Sequence, residues 1–337
     1  MKITVPHFVR LLEFRRDLPF PKTVTIDTTN FCNLKCSMCA HKEMQREQGR
    51  MEWGLYTKII DEIAAKAPDT RVLLAFFGEP LLLRKHDEGR EDLRSIDSMI
   101  RYAKDAGCED VAINTNGVLL DSEMAHRLTG AGLDRMYVGI DATTSETYDK
   151  VRVGGVYSEV VANVRNFLEL QQKQPGNRRC YVQVQFIEMD ENAHELEGFI
   201  KLWKGSGADI KVRKKVTWTG MVDAVSGGAE KGDRHLCYWA MNTLAITHVG
   251  DVTMCSADPE ARFVAGNVRE QSLEEVWTGR MKELRQQHRR GEWGALPFPC
   301  NDCDDWSVSF DDEYEIELGI EGLRRLIGLV RRKLGRQ

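Results

Sequence analysis

Short apolar runs alternate with longer stretches of helical spacing along most of this chain, and that rhythm predicts its elements. Residues 1–20 read as a short amphipathic helix that leaves through Pro19 and Pro21. Beyond it, strands are predicted at Thr23–Asp27, Arg71–Phe77, Asp110–Asn114, Arg135–Ile140, Cys180–Ile187 and Asp209–Val216. Helices are predicted at Leu55–Ala65, Ile96–Ala106, Ser122–Thr129, Val156–Gln172 and Glu195–Lys204. In the fourth of these, Val160, Val164, Phe167 and Leu168 fall on one face. Such alternation implies parallel strands joined by right-handed crossovers. Six units of this kind suit an α/β partial (β/α)6 TIM-like barrel, in which working residues sit at the C-terminal ends of strands.

The chain is expected to divide into a barrel over 1–218, a linker over 219–234, a second module over 235–306 and a tail over 307–337. The linker has loop composition and no periodicity. In the second module, Thr243–Thr253 reads as two strands around His248-Val249-Gly250-Asp251, and Gly266-Asn267-Val268 with Leu273–Trp277 as a strand and a short helix. In the tail, Leu323, Leu326, Ile327, Val330 and Leu334 recur at helical spacing, with Arg and Lys on the other face. A helix packed on the barrel is favoured there over a membrane-surface helix.

Candidate chemistry follows the strands. Thr23–Asp27 runs into Cys32, Cys36 and Cys39, a Cys-x3-Cys-x2-Cys spacing. Gly78-Glu79-Pro80, Thr115-Asn116-Gly117 and Asp141 also follow predicted strands. Asn-Gly alone is usually only a turn; the shared placement gives these motifs their meaning. Three thiolates suit three irons of a [4Fe–4S] cluster and leave the fourth iron open to a chelating small molecule. The competing reading is a structural zinc knuckle, for which His41 is the local fourth ligand. Cys237, Cys255, Cys300 and Cys303 form a second set, whose four thiolates suit either [4Fe–4S] or zinc.

The cysteine spacing with its flanking residues, Thr29 to Cys39, resembles the radical S-adenosylmethionine (SAM) superfamily, over roughly residues 20 to 303. The resemblance implies a SAM-binding [4Fe–4S] cluster on Cys32, Cys36 and Cys39. Gly78-Glu79-Pro80 is similar to the family's Gly-Gly-Glu motif, with Phe77 in first place, and implies that Glu79 holds the SAM amino group. Asp141 matches the family's Ser-x-Asp, with Gly139 in the Ser place. Arg152 falls where related enzymes use an arginine, and its planar fork matches a carboxylate. Met38 takes the place of a large apolar residue against adenine. Asn116 and Gln185 are polar groups placed to touch the ribose or the substrate.

The second cysteine set, with Gly250, Asp258-Pro259, Gly266-Asn267-Val268 and Val276-Trp277, resembles the auxiliary-cluster modules called SPASM and twitch, in the shortened version with one auxiliary [4Fe–4S] cluster. That subgroup includes dehydrogenases and epimerases of aminocyclitols, aminoglycosides and other sugars, and also peptide-modifying enzymes. The expected activity is cleavage of SAM to a 5′-deoxyadenosyl radical, hydrogen abstraction from a secondary alcohol of a sugar or aminocyclitol, and transfer of an electron to the auxiliary cluster. Epimerisation needs a hydrogen donor such as a thiol. Of the two remaining cysteines, Cys108 precedes the third strand and Cys180 begins the fifth, so both sit near N-terminal strand ends, the wrong face of the barrel for catalysis. Only a short segment precedes Cys32, too short for an independent leader-binding domain, which counts against peptide modification.

Composition narrows the partners. There are 47 Lys and Arg against 52 Asp and Glu, so no global basic charge points to nucleic acid. The N-terminus lacks the apolar core of a signal peptide, and no apolar run is long enough to span a bilayer, so a cytoplasmic location is expected. Nine cysteines in a reducing compartment point to metal rather than to disulfides. A flavodoxin- or ferredoxin-type electron donor is the expected redox partner. Lys211-Val212-Arg213-Lys214-Lys215 ends the sixth strand, and alternation aims Arg213 and Lys215 to one side. A solvated basic strand end is favoured there over a grip on an acidic substrate group.

Overall fold

The computed structural model describes residues 17–84, 93–176, 179–223 and 234–309. The helix expected at 1–20 falls mostly outside these residues, and the amphipathic helix of the tail wholly so. Among the described residues no helix is long and apolar enough to cross a membrane.

Six strands form the predicted parallel array: β1 (Thr23–Ile26), β2 (Arg71–Leu73), β3 (Asp110–Thr115), β4 (Arg135–Gly139), β5 (Tyr181–Glu188) and β6 (Asp209–Lys214). Helices Trp53–Lys66, Ile96–Ala106, Ser122–Ala131, Tyr157–Gln172 and Leu196–Trp203 return the chain between them. Their ends obey local chemistry. Asp121 caps one helix by accepting from the Met124 N–H, and that helix stops at Gly132, whose φ of 83° suits glycine. Strand β2 is shorter than the predicted Arg71–Phe77. From Phe77 the backbone turns to the cysteine loop: its N–H donates to Asp27, and the Glu79 N–H donates to the Phe31 carbonyl at 2.8 Å.

The sheet does not stop at the expected linker. Strand β7 (Thr243–Ile246) pairs in parallel with β1, in register from Thr23↔Thr243 to Ile26↔Ile246. Strands β8 (Asp251–Thr253) and β9 (Val264–Asn267) then add antiparallel, giving the order β6-β5-β4-β3-β2-β1-β7-β8-β9. With β6 and β9 at its two ends, the sheet is an open, partial TIM-type barrel. The apolar core is likewise continuous: Leu273, Val276 and Trp277 belong to one cluster with Ile59, Ile60 and Ile63. The segment 235–306 is therefore built onto the barrel through sheet and core, and only a smaller cluster around Cys237, Trp239 and Trp306 is its own.

Three helices escape the sequence pattern, among them the short Tyr238–Asn242 after Cys237. Ser145–Val151 is short and capped by the Thr144 hydroxyl. In Arg280–Arg290 the buried face is Met281, Leu284, Arg285 and His288, so a charged and an aromatic polar residue take positions that a hydrophobic count leaves empty. Arg285 is kept inside by lying over the Trp277 ring and by an ion pair with Asp17 at 3.1 Å.

Candidate active site

The loop after β1 carries the first cysteines. Asn30 holds its ends together: its Oδ1 accepts the Gly49 N–H at 2.7 Å and its Nδ2 donates to the Glu47 carbonyl at 2.9 Å. Cys32, Cys36 and Cys39 pack into one cluster with Leu34, Met38, Val151 and Met189. Burial, with a smaller contribution from neighbouring thiols, raises the Cys32 thiol to about 11 and the Cys39 thiol to about 12. Thiols so raised become thiolates together only around strong positive charge, as a metal cluster supplies. Backbone N–H groups already point at them, Leu34 to Cys32 Sγ and His41 to Cys39 Sγ. His41, the candidate zinc ligand, has its Nε2 2.7 Å from the Asn30 carbonyl, so that nitrogen serves the loop.

Glu79 enters beside this loop. Gly78 before it has φ 91°, and a Cβ there would stand 2.6 Å from the Thr29 and Phe31 carbonyls, so the close approach requires glycine. The Glu79 carboxylate is buried and accepts from the Leu81 N–H, the Thr115 hydroxyl and the Asn116 N–H, at 2.8–2.9 Å. Burial still raises its pKa to about 7 against those hydrogen bonds. No cation among the described residues forms an ion pair with it, although the Arg152 charge acts on it from nearby.

Asp141 ends β4 in the left-handed region, φ 60°, which Asp tolerates better than most residues. Its carboxylate accepts from the Ile187 N–H at 2.6 Å and from Arg152 Nε at 2.7 Å, and Asn192 Nδ2 donates to its carbonyl. Arg152 also reaches Cys36 Sγ with Nη1 at 3.6 Å. Burial opposes its charge, yet Asp141 and Cys36 raise its pKa above the usual value. A Cβ at Gly139 would collide with the Arg152 guanidinium. The guanidinium therefore occupies the space in which a side chain at 139 would lie. Met38 is buried, and its carbonyl accepts from Trp218 Nε1 at 2.7 Å. Asn116 Nδ2 donates to Asn33 Oδ1, which ties the β3 turn to the cysteine loop. Gln185 faces the lumen, further along the sheet.

Cys237, Cys255, Cys300 and Cys303 line one enclosed void of about 20 Å³ with Trp239 and Trp306. Burial raises the Cys300 thiol to about 12 and raises the other three as well. Among the described residues no three His, Cys, Asp or Glu side chains are arranged to hold a single ion. The four thiols surround one small space, a donor set that suits either a [4Fe–4S] cluster or zinc. Sequence reasoning missed two neighbours of Cys300: His288, with Nε2 3.3 Å from its sulfur, and Arg234, which donates to its carbonyl at 2.7 Å. It also missed the buried pairing of Asp27 with Arg46 at 2.7 Å, next to His248. Only the fold brings those three together, so no sequence signal marks them.

A cavity of about 290 Å³ fills the lumen between the two cysteine sets. Trp218 and Phe76 wall it on the side of the first set. Trp239 and Ala257 wall it on the side of the second, and both also line the four-cysteine void. Cys108 and Cys180 are buried in the main core and do not line it.

These features define a cysteine-rich, open-barrel enzyme with two cluster sites. The sequence matches the radical SAM superfamily over residues 26–197 and an iron–sulfur cluster-binding domain, SPASM, over residues 237–304. The chain belongs to the radical SAM superfamily, and its cofactors are SAM, a SAM-binding [4Fe–4S] cluster and an auxiliary one. It is 28% identical over 189 residues to a tungsten-containing aldehyde ferredoxin oxidoreductase cofactor-modifying protein of Pyrococcus furiosus, covering 56% of this chain and 49% of that protein. It is 29% identical over 195 residues to a probable GTP 3′,8-cyclase of Methanococcus maripaludis, covering 57% and 58%. The chain thus spans about half the length of the curated relatives it matches. Among solved structures, BtrN in complex with AdoMet and 2-DOIA is similar at TM-score 0.60 and 18% identity, covering 89% of this chain and 98% of that one. Streptococcus suis SuiB bound to the precursor peptide SuiA is similar at TM-score 0.61 and 14% identity, covering 90% and 74%. At these identities the structures show the shared fold.

Proposed function

We propose that this enzyme oxidises a secondary alcohol of a small polar substrate, a sugar or aminocyclitol, with the auxiliary cluster as electron acceptor. The lumen cavity carries this reading: Trp239 and Ala257 wall both it and the four-cysteine void, and Trp218, which also lines it, donates to the Met38 carbonyl in the first cysteine loop. Bound SAM and its cluster supply a 5′-deoxyadenosyl radical, which takes one hydrogen atom. In this reading Cys32, Cys36 and Cys39 hold the first cluster, and Cys237, Cys255, Cys300 and Cys303 the second. Glu79 receives the SAM ammonium, and Arg152, standing in the side-chain space of Gly139, turns its fork to the SAM carboxylate while Asp141 fixes its orientation. Met38 and Trp218 close the adenine side and exclude water. Asn116 and Gln185 offer hydrogen bonds to ribose or substrate. With those groups bound, oxidation of the carbinol would balance as one hydrogen atom, one hydroxyl proton (to solvent or a base) and one electron removed, the electron being taken up at the site that Cys237, Cys255, Cys300 and Cys303 would hold. BtrN, crystallised with AdoMet and 2-DOIA, supports a small ligand in this fold.

The competing outcome, epimerisation, needs a hydrogen donor in the cavity. Cys108 and Cys180 are unsuited to it, being buried in the main core and not lining the lumen. A direct test is anaerobic reconstitution followed by turnover with SAM, reductant and a panel of sugars and aminocyclitols. About eight irons per chain are expected, falling to about four in the Cys32/Cys36/Cys39→Ala variant. Ketone should form in step with 5′-deoxyadenosine. An epimer carrying a hydrogen drawn from solvent, with no ketone, would replace the dehydrogenase reading with an epimerase.

A further inference from the structure

We infer that Asp305 is a positioning residue for the SAM site: from the side of the second cysteine set it holds Trp218 in a left-handed turn, and Trp218 in turn fixes the first cysteine loop at Met38. The inference rests on the reading above only in placing SAM beside Met38, Trp218 and Glu79, and it is independent of alcohol oxidation. The turn follows β6, at the border that the sequence draws between barrel and linker. Trp218 has φ 52° and Thr219 has φ 56°, and a glycine comes only after them, at Gly220. Two successive residues with side chains in this region, one of them β-branched, are rare and persist only where their surroundings hold them. The shape of this turn therefore comes from its partners and not from its own residues.

Those partners come from the second set. Asp305 follows Cys303 closely, is buried and grips the turn on both sides of Trp218. Its Oδ1 accepts from the Thr217 N–H at 2.6 Å and from the Thr217 hydroxyl at 3.0 Å, and its Oδ2 accepts from the Thr219 N–H at 2.8 Å. Arg262 adds a second support: its Nη2 donates to the Thr219 hydroxyl, and its Nε to Asp258 at 3.2 Å, just beyond Cys255. What the turn presents points the other way. The Trp218 ring meets Phe77 edge-on, with centroids 5.0 Å apart, immediately before Gly78-Glu79. Its Nε1 donates to the Met38 carbonyl at 2.7 Å, immediately before Cys39. The same side chain lines the lumen. One indole thus touches both the Glu79 segment and the cysteine loop, from a backbone that Asp305 holds in place. The grip needs a carboxylate. Both of its oxygens accept, whereas an amide has one acceptor oxygen and an NH2 that would face an N–H donor of the turn.

The test is calorimetric titration of SAM into the reconstituted holoenzyme under anaerobic conditions, with iron content and thermal melts measured beside it. Asp305→Asn should keep about eight irons yet bind SAM about fivefold more weakly, the worth of one hydrogen bond at Met38. Trp218→Phe keeps a ring against Phe77 but removes the indole N–H, and should weaken SAM binding by a similar factor. The double variant should bind SAM no more weakly than Trp218→Phe alone, because Asp305 acts through Trp218. Thr217→Val, which removes only the hydroxyl that donates to Asp305, tests the same grip with Asp305 in place and should weaken SAM binding by more than about twofold. A residue that serves the fold alone would shift the melting temperature and leave SAM affinity unchanged. SAM affinity within about twofold of the parent in both Asp305→Asn and Thr217→Val, or losses that multiply in the double variant, would overturn the inference. So would an Asp305→Asn protein that folds with only about four irons, since Asp305 would then support the second cluster itself. Unchanged SAM affinity in Trp218→Phe would defeat the placement of SAM beside Trp218, and the inference with it. Weakened binding in Trp218→Phe but not in Asp305→Asn or Thr217→Val would defeat the inference alone.

Discussion

The two cysteine sites are built on opposite principles. The first sits within one loop, from Cys32 to Cys39, and its spacing is a local property of the chain. The second gathers Cys237, Cys255, Cys300 and Cys303 from separated segments into a void closed by Trp239 and Trp306. The first is surrounded by buried charged groups: a carboxylate at Glu79 with no ion pair among the described residues, and the Arg152 guanidinium, paired with Asp141 and standing in the side-chain space of Gly139. The second is surrounded by groups that close it: aromatic rings, His288 and Arg234. A site that admits SAM keeps part of its wall for the ligand, whereas a site whose four protein thiolates ligate its metal is complete without one.

The largest effect should come from removing thiolates. Cys32/Cys36/Cys39→Ala should abolish 5′-deoxyadenosine formation while the protein keeps about four irons and its fold. Cys255→Ala should instead lower thermal stability, because it opens the centre of a buried cluster, and should uncouple SAM cleavage from ketone. Chromatography of 5′-deoxyadenosine and product, beside thermal melts, reads both. If the first variant unfolded and the second did not, the comparison would be reversed.

Next comes Glu79. Its pKa of about 7 when folded lies above the 4.5 of an unperturbed glutamate, so the folded chain binds the extra proton between those values. The SAM-free protein should therefore lose stability as pH rises from about 4.5 through 7, by on the order of 2–3 kcal/mol at this one buried group. Glu79→Gln should flatten that slope and weaken SAM binding. SAM should flatten it in the parent protein, since an ammonium favours the charged carboxylate. Melts across pH with and without SAM test this; a parent slope unchanged by SAM would remove Glu79 from the amino-group site.

Gly139→Ala should cost about 1–3 kcal/mol, because the new methyl collides with the Arg152 guanidinium. It should also weaken SAM binding about tenfold or more, as charge-assisted hydrogen bonds to the SAM carboxylate are lost. A stability loss without an affinity loss would make Arg152 purely a partner of Asp141.

The smallest effect belongs to His288. Its Nε2–H is placed to donate to the Cys300 sulfur, and such bonds favour the more negative, reduced cluster. His288→Phe should lower the auxiliary potential by on the order of 40 mV, about 1 kcal/mol for one electron. Redox titration followed by electron paramagnetic resonance measures it, and no shift would leave His288 as packing alone.

Much of this molecule was legible in the chain. The strand–helix alternation gave six parallel strands, since each buried element carries its own periodicity. The motifs at the strand ends stand around one mouth because the barrel places every C-terminal strand end on one face. Helix Arg280–Arg290 was hidden because Arg285 and His288 occupy its buried face. The short β2 was hidden because the backbone partners that end it, Asp27 and Phe31, are distant in sequence.

By itself, then, the sequence determined the ligand types, the local Cys-x3-Cys-x2-Cys loop and the periodicity that makes an open barrel, because these depend on neighbours along the chain. Tertiary structure alone decided that β7 joins β1 and fuses the second site to the barrel, that Gly139 makes room for Arg152, that His288 and Arg234 flank Cys300, and that Trp239 and Ala257 wall both the lumen and the four-cysteine void. Each is a meeting of side chains or strands far apart in sequence, and the energy of such a meeting exists only once the chain is folded.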